Sequence, residues 1–209
     1  ISLKKEYDRI VIATGTMATN KMNIKGEENS LDGLRLLYDL NILHKEAEYK
    51  KHQKALVVGG GNVALDCALS LKRIIKDVSI IYRRSIKEMP ANKEEVAEAI
   101  AQGIELIELN NPVKVDKDGV MAIKMVLGEK DASGRASFHP VANSEHFIKA
   151  DLVVMAIGQK VKAEDLEGFT LDNKGRLAVS DNYETSINGI YACGDVVNGP
   201  SNVANAFQS

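Results

Sequence analysis

A glycine-rich turn between an apolar run and a helical pattern is the most constraining feature of this chain. Residues 56–64 read LVVGGGNVA, which fits the spacing G-x-G-x-x-A. A helix-like stretch over residues 65–76 follows, and then a second apolar run over residues 78–82. This order predicts a strand–turn–helix–strand unit of the kind that begins a dinucleotide-binding fold.

Each small residue of the turn has a separate physical role in such a unit. Gly59 allows a tight turn, Gly61 lets the backbone approach a pyrophosphate, and Ala64 lets helix and strand pack closely. Free N–H groups at the helix start favour an anion. The alternative is an ordinary strand–helix turn whose small residues serve packing alone. The predicted cofactor contacts here are Gly59, Gly60, Gly61, Asn62 and Val63.

The end of the second apolar run indicates which dinucleotide is bound. An NAD site usually ends this strand with an acid that binds the ribose 2′-hydroxyl. Here the strand ends in Tyr82, Arg83 and Arg84, with no acid. Two guanidinium groups suit a 2′-phosphate, because a phosphate accepts forked hydrogen bonds. The sequence therefore favours NADP(H) over NAD, although one or both arginines at a strand end can also be merely solvated.

The rest of the chain predicts an α/β fold in which the chain crosses twice between two neighbouring domains. Residues 8–15 and 151–158 are similar apolar segments with the same Asp-to-Gly spacing, and they flank the dinucleotide unit. A helix is predicted from Ser30 to Leu40 with Ser30 as its cap, and an antiparallel excursion over residues 112–149. Residues 128–145 are predicted to be an exposed hairpin loop with Glu129 and Asp131 solvated.

Near the end of the chain, an apolar strand leads into a Gly-Asp pair. Ile190 begins this strand, and Gly194 and Asp195 follow it directly. A carboxylate placed there can accept hydrogen bonds from a sugar-alcohol hydroxyl while the chain passes closely. Asn202 then precedes a helix start, so the alternative role for Asp195 is to cap that helix. Gly158, Gly194 and Asp195 complete the predicted cofactor contacts.

Composition excludes several classes of protein. A formal charge of −2 over 209 residues gives no case for nucleic-acid binding, and no apolar stretch predicts a membrane span. Cys67 and Cys193 are far apart and form no C-x-x-C pair, so a dithiol redox centre is not predicted. Both are expected to be buried thiols in a reducing cytoplasm, and the four histidines show no metal-ligand spacing.

Taken together, these strings resemble the small-subunit type of NADPH-dependent glutamate synthase and related iron–sulfur-linked flavoproteins, including dihydropyrimidine dehydrogenase-like enzymes. The matching strings run in the family's order and cover most of the chain: YDRIVIATG, VVGGGNVALDCA, VSIIYRRSIKEMPA, EEVAEAIAQGIEL, LGEKDASGR, DLVVMAIGQ and IYACGDVVNGPSNVANAF. The resemblance implies a Rossmann-like FAD/NAD(P)-binding fold of the pyridine nucleotide-disulfide oxidoreductase type, with a parallel sheet flanked by helices. It matches Asp195 to an acid that binds the FAD ribityl chain.

The resemblance also implies a domain plan and a reaction. Residues 16–158 are expected to be the NADP-binding domain, whereas 1–15 and 159–209 are expected to be remnants of an FAD domain whose own glycine motif is absent. In the full-length protein, hydride would pass from NADPH to FAD and electrons onward to an iron–sulfur domain or partner subunit. No side chain is predicted to act catalytically. The alternatives are a related reductase with another acceptor, such as a pyrimidine or an oxyanion, and a non-catalytic dinucleotide-binding module.

Overall fold

The computed structural model describes residues 2–130 and 136–208, and these divide into two compact units. The central unit comprises Lys21–Ile157, and the terminal unit comprises Ile1–Asn20 and Gly158–Ser209. The assignment of these units to particular cofactors stays a prediction.

The strands of the described residues follow in chain order. They are β1 (Ile10–Ile12), β2 (Ala18–Thr19), β3 (Leu31–Asp32), β4 (Lys54–Val58), β5 (Asp77–Tyr82), β6 (Glu105–Glu108), β7 (Asn110–Asp116), β8 (Gly119–Lys130), β9 (Ala136–Pro140), β10 (His146–Lys149), β11 (Leu152–Met155), β12 (Gln159–Lys160) and β13 (Ile190–Ala192). The α-helices are α1 (Gly33–Asn41), α2 (Glu46–Tyr49), α3 (Asn62–Lys72), α4 (Lys93–Ala101), α5 (Asp195–Asn198) and α6 (Val203–Phe207). Single 3-10 turns occupy Ser2–Lys5, Glu27–Asn29, Ile86–Glu88 and Ala163–Leu166.

A five-stranded parallel sheet forms the middle of the central unit. Its strand order is β3-β11-β4-β5-β6. Neighbouring residues of β4 point to opposite faces, so Ala55 and Val57 pack into one core, whereas Leu56 and Val58 pack into another. A parallel sheet must be covered on both faces, and this alternation supplies apolar side chains to both.

The two faces of the parallel sheet are covered by different kinds of structure. Helices α1, α3 and α4 pack on one face, where Leu36, Leu65 and Ala99 are fully buried. Residues of the antiparallel sheet β10-β8-β7, among them Val115 and Val120, cover the other face. The predicted parallel sheet and antiparallel excursion are confirmed, but helices flank one face of the sheet and strands the other.

Several predicted element boundaries are wrong. Helix α1 begins at Gly33 rather than Ser30, because Ser30 and Leu31 remain extended and the Asp32 side chain accepts from the Arg35 N–H. Helix α3 ends at Lys72 rather than Lys76. Part of the predicted loop over residues 128–145 is strand, since β8 continues to Lys130 and β9 covers Ala136–Pro140. Asp131 lies outside the described residues.

The terminal unit has a smaller core than the central unit. Strands β1 and β13 form a parallel pair, and β2 and β12 form an antiparallel pair. Val161, Leu166, Leu177, Ala192 and Val196 are the buried apolar residues of its core cluster. In the apolar segment of residues 8–15, β1 stops at Ile12, and Val11 is 63% exposed. The two-stranded pair leaves that side chain without a covering layer.

Candidate dinucleotide-binding site

The turn from β4 into α3 depends on Gly59. Gly59 has φ of 144°, a conformation that residues with a side chain rarely adopt. A Cβ at this position would also collide with the Ala156 carbonyl oxygen and lie 3.3 Å from Ala64 Cβ. The close packing of strand, turn and helix therefore needs both small residues.

Gly60 and Gly61 differ in what surrounds them. A Cβ at Gly60 would lie 2.5 Å from the ring of Tyr82, at the end of β5. A Cβ at Gly61 would meet nothing within 4 Å. Gly61 is also extended, with φ of −94° and ψ of 177°, so its backbone does not require glycine. Packing thus explains Gly59 and Gly60 but not Gly61, which borders open space.

The first turn of α3 offers N–H groups to that open space. Gly61 is the N-cap of the helix and has no side chain to cap it. Within residues 2–130 and 136–208, no acceptor bonds to the N–H groups of Asn62 and Val63. Such groups and the positive end of the helix dipole attract an anion. A dinucleotide pyrophosphate fits this arrangement, because the cradle is open where a Cβ would fill it.

The Asn62 side chain holds a neighbouring segment instead of pointing away from the fold. Its Oδ1 accepts from the Asn92 N–H at 3.0 Å, and the Gly60 carbonyl accepts from the Ala91 N–H at 3.2 Å. Asn92 caps α4 by accepting from the Glu94 N–H. The loop before α4 is therefore fastened to the glycine turn. Nothing in the spacing of residues 62 and 92 indicates this contact, so it could not be predicted from the sequence.

Both arginines beyond β5 lie against a single aromatic ring. The guanidinium carbons of Arg83 and Arg84 lie 4.6 and 4.8 Å from the ring centroid of Phe138. The Arg84 Nε also donates to the Ala136 carbonyl oxygen at 2.8 Å. The alternative that Arg84 is merely solvated is therefore wrong. Phe138 was not predicted as a site residue, because it falls in the stretch that was interpreted as a loop.

The remaining predicted contacts belong to the terminal unit. Gly158 has φ of 103°, and its carbonyl accepts from the Asn20 N–H at 3.0 Å where β2 and β12 pair. Gly194 has φ of 74° and links β13 to α5. Asp195 is the first residue of α5 and is half-buried, and no group of the described residues bonds to its carboxylate.

The capping alternative for Asp195 is wrong. The helix that follows, α6, is capped by Asn202, whose side chain accepts from the Asn205 N–H at 2.9 Å. Asp195 instead lies in the first turn of the shorter helix α5.

The described residues include two cysteines, and both are free thiols. Burial raises the pKa of Cys67 to about 12, so this thiol is unreactive at neutral pH. Cys193 was predicted to be buried in a strand, but it is half-buried and follows β13. The described part of the chain has no group of three His, Cys, Asp or Glu side chains suited to a metal ion. It also has no helix long and apolar enough to span a membrane.

The sheet with its flanking helices places the chain in the α/β class, and the open glycine turn and the arginine pair are what a dinucleotide-binding protein of this class would present. The chain belongs to the pyridine nucleotide-disulphide oxidoreductase family, whose pattern it matches over residues 2–209. This agrees with the resemblance seen in the sequence.

Two curated relatives and one solved structure illustrate the likeness. The chain is 38% identical to the NADP(+)-dependent formate dehydrogenase subunit beta of Moorella thermoacetica, over 98% of this chain and 30% of that subunit. It is 31% identical to the glutamate synthase (NADPH) small chain of Escherichia coli, over 98% of this chain and 48% of that one. Mycobacterium tuberculosis FprA in complex with NADPH has the same fold, with a TM-score of 0.79, 19% identity, and coverage of 99% of this chain and 62% of FprA. The chain therefore spans less than half the length of these two curated relatives.

Proposed function

We propose that this chain is the NADPH-binding module of a flavoprotein oxidoreductase of the glutamate-synthase-small-subunit type. The observation that carries the proposal is the open cradle at Gly61, at the N-terminus of α3. Packing does not explain this glycine, whereas the approach of a pyrophosphate does. The names of the relatives from Moorella thermoacetica and Escherichia coli, which specify NADP(+) and NADPH, support the choice of cofactor.

The chain's own residues have binding roles in this proposal. The N–H groups of the first turn of α3 would hold the pyrophosphate, and Arg83 and Arg84 would hold the 2′-phosphate. Asp195 would hold the ribityl chain of FAD in the full-length protein. When bound, the nicotinamide supplies a hydride and the flavin accepts it, while the protein supplies orientation and electrostatics. Electrons would then pass to an iron–sulfur domain or partner subunit.

A second candidate is the same module in a related oxidoreductase that exchanges electrons between NADP(H) and a different partner. The observation favouring it is the higher identity to the formate dehydrogenase subunit, 38% against 31% for the glutamate synthase chain, at equal coverage of this chain. The full-length protein purified with its natural partners would separate the two. Reduction of NADP by formate would favour the second candidate, and oxidation of NADPH coupled to the synthesis of glutamate would favour the first.

Substitution of Gly61 by valine tests the central claim. The extended backbone at Gly61 accepts a valine, and nothing lies within 4 Å of the new Cβ, so the variant should melt like the unmodified chain. The side chain would occupy the space that the pyrophosphate needs, so binding of NADPH and NADH should both be lost. Calorimetric titration with circular dichroism melting makes the measurement. A folded variant that binds NADPH normally would place the phosphates elsewhere.

Replacement of Arg83 by alanine tests the choice of cofactor. Loss of one charged hydrogen bond to the 2′-phosphate should weaken NADPH binding by roughly 1.5–3 kcal/mol. Binding of NADH, which lacks that phosphate, should change little. Equal affinity of the unmodified chain for NADPH and NADH would contradict the NADP assignment.

A further inference from the structure

One aromatic ring lies against both arginines of the proposed 2′-phosphate site. The two guanidinium carbons lie 4.6 and 4.8 Å from the centroid of the Phe138 ring, within the range of cation–π attraction. We propose that Phe138 is a positioning residue that determines cofactor specificity, because it holds Arg83 and Arg84 together for a 2′-phosphate. This inference rests on the proposed function.

The antiparallel sheet fixes the direction of the Phe138 ring. Phe138 lies in β9 opposite Leu127 of β8, and the register shifts between Leu127 and Lys130. Its strand neighbours Ser137 and His139 lie over Gly128, where a Cβ would collide with Ser137 and come within 3.0 Å of His139. Alternate residues of a strand point to opposite faces, so the Phe138 ring is directed away from Gly128 and towards the arginines.

Two adjacent guanidinium groups repel each other and have many rotamers, so an unsupported pair would not stay together. The negative face of an aromatic ring attracts both cations. The Ala136 carbonyl, two residues before Phe138, accepts from the Arg84 Nε at 2.8 Å and fixes this guanidinium further. The antiparallel pair of β8 and β9 thus orders the two arginines before the ligand arrives, which reduces the entropy lost on binding.

A ring-free substitution separates the effect of the aromatic face from the effect of packing volume. Phe138→Leu keeps an apolar side chain without a ring, and Phe138→Tyr keeps the ring. Phe147→Leu is the matched control, because Phe147 lies in β10 of the antiparallel layer and is 47% exposed. Dissociation constants for NADPH and NADH are measured by calorimetry, with the folded fraction taken from circular dichroism.

The expected result is a change in cofactor preference and not in general affinity. Phe138→Leu should weaken NADPH binding about 5- to 30-fold and leave NADH binding within about twofold. Phe138→Tyr and Phe147→Leu should retain the preference of the unmodified chain. Equal weakening of both cofactors by Phe138→Leu would overturn the inference, since a general packing defect would act on both.

Two comparisons keep this inference separable from the proposed function. If Arg84→Ala removes the preference for NADPH but Phe138→Leu does not, the inference about Phe138 fails while the proposed function stands. If the unmodified chain has no preference, the NADP assignment itself fails. Should Phe138→Leu not fold, ring-current shifts of the Arg83 and Arg84 side-chain protons in the unmodified chain decide. Their absence overturns the inference, and their presence with perturbation by NADPH but not NADH supports it.

Discussion

The central and terminal units use glycine turns at the ends of parallel strands, but within very different cores. In the central unit, Gly59 ends a strand that is buried on both faces between helices and an antiparallel sheet. In the terminal unit, Gly194 follows a strand of a two-stranded pair, and Val11 of the partner strand is 63% exposed. Both glycines have a positive φ, but close packing adds a second constraint at Gly59, whereas a Cβ at Gly194 would meet only the Ala206 Cβ at 3.9 Å.

The largest expected loss of stability follows substitution of Gly59, whose surroundings leave no space for a side chain. Gly59→Val should destabilise the central unit by about 3–5 kcal/mol, because it combines an unfavourable φ with a collision at the Ala156 carbonyl. Such a loss is a large part of the stability of an ordinary domain. Thermal melting makes the measurement.

The control for this substitution lies two residues away. Gly61→Ala adds a Cβ with no neighbour within 4 Å, so its melting temperature should stay close to that of the unmodified chain. If the Gly59→Val and Gly61→Ala variants had the same melting temperature, close packing would not be what distinguishes these two glycines.

Amide hydrogen exchange compares the units directly. The amides of β4 and β5, inside the parallel sheet, should be at least about 100-fold better protected than those of β1 and β13. The reason is that opening of the two-stranded pair exposes a small core cluster, whereas opening of β4 exposes two clusters. Similar protection in both units would show that they open together.

Acid produces the smallest of these effects and acts on a carboxylate in each unit. The Arg176 side chain, by its hydrogen bond, lowers the pKa of Asp172 in the terminal unit to about 2. The Arg35 guanidinium lowers the pKa of Asp39 in the central unit in the same way. A lowered pKa in the folded state means that each carboxylate–arginine pair stabilises the fold fully above the ordinary carboxyl pKa, which lies near 4. The contribution of the Arg176–Asp172 pair is lost as the pH falls towards 2, and that of the Arg35–Asp39 pair is lost as the pH falls through the lowered pKa of Asp39.

Substitution of each carboxylate by its amide tests that pH dependence. Asp172→Asn should flatten the fall in stability of the terminal unit between about pH 4 and pH 2, and leave the central unit unchanged. Asp39→Asn should flatten the fall in stability of the central unit in acid and leave the terminal unit unchanged. It should also lower the stability of the central unit at neutral pH, because the Tyr49 hydroxyl donates to the Asp39 carboxylate at 2.8 Å. Denaturant melts in an acid series, read by amide signals of each unit, make the measurement. If each variant lost as much stability in acid as the unmodified chain, the fall could not be attributed to these carboxylate–arginine pairs.

Local patterns predicted the parallel strands and the glycine turn, because their apolar runs and glycine spacing are determined by neighbours in sequence. They failed where a distant residue decides the structure. Ser30 was a reasonable cap, but Leu31 and Asp32 pair with β11, so the helix starts later. Similarly, Gly, Ser and Pro in residues 128–145 indicate a loop, whereas pairing with β8 makes residues 136–140 a strand. The contact of Phe138 with the arginines could not be predicted for the same reason.

The strand order of the parallel sheet also has a consequence for how the chain acquires its structure during synthesis. Strand β11 lies between β3 and β4, so Val154 is the partner of both Leu31 and Val57. Strands β4, β5 and β6 are complete once residue 108 has left the ribosome, but β3 has no strand to join until residue 155 follows. The long loop between β3 and β11 must close, at a cost in entropy, before the two strands make any stabilising contact. This requirement slows folding. A nascent chain that stops before residue 152 would display an unpaired edge of β4, the kind of surface from which aggregation begins.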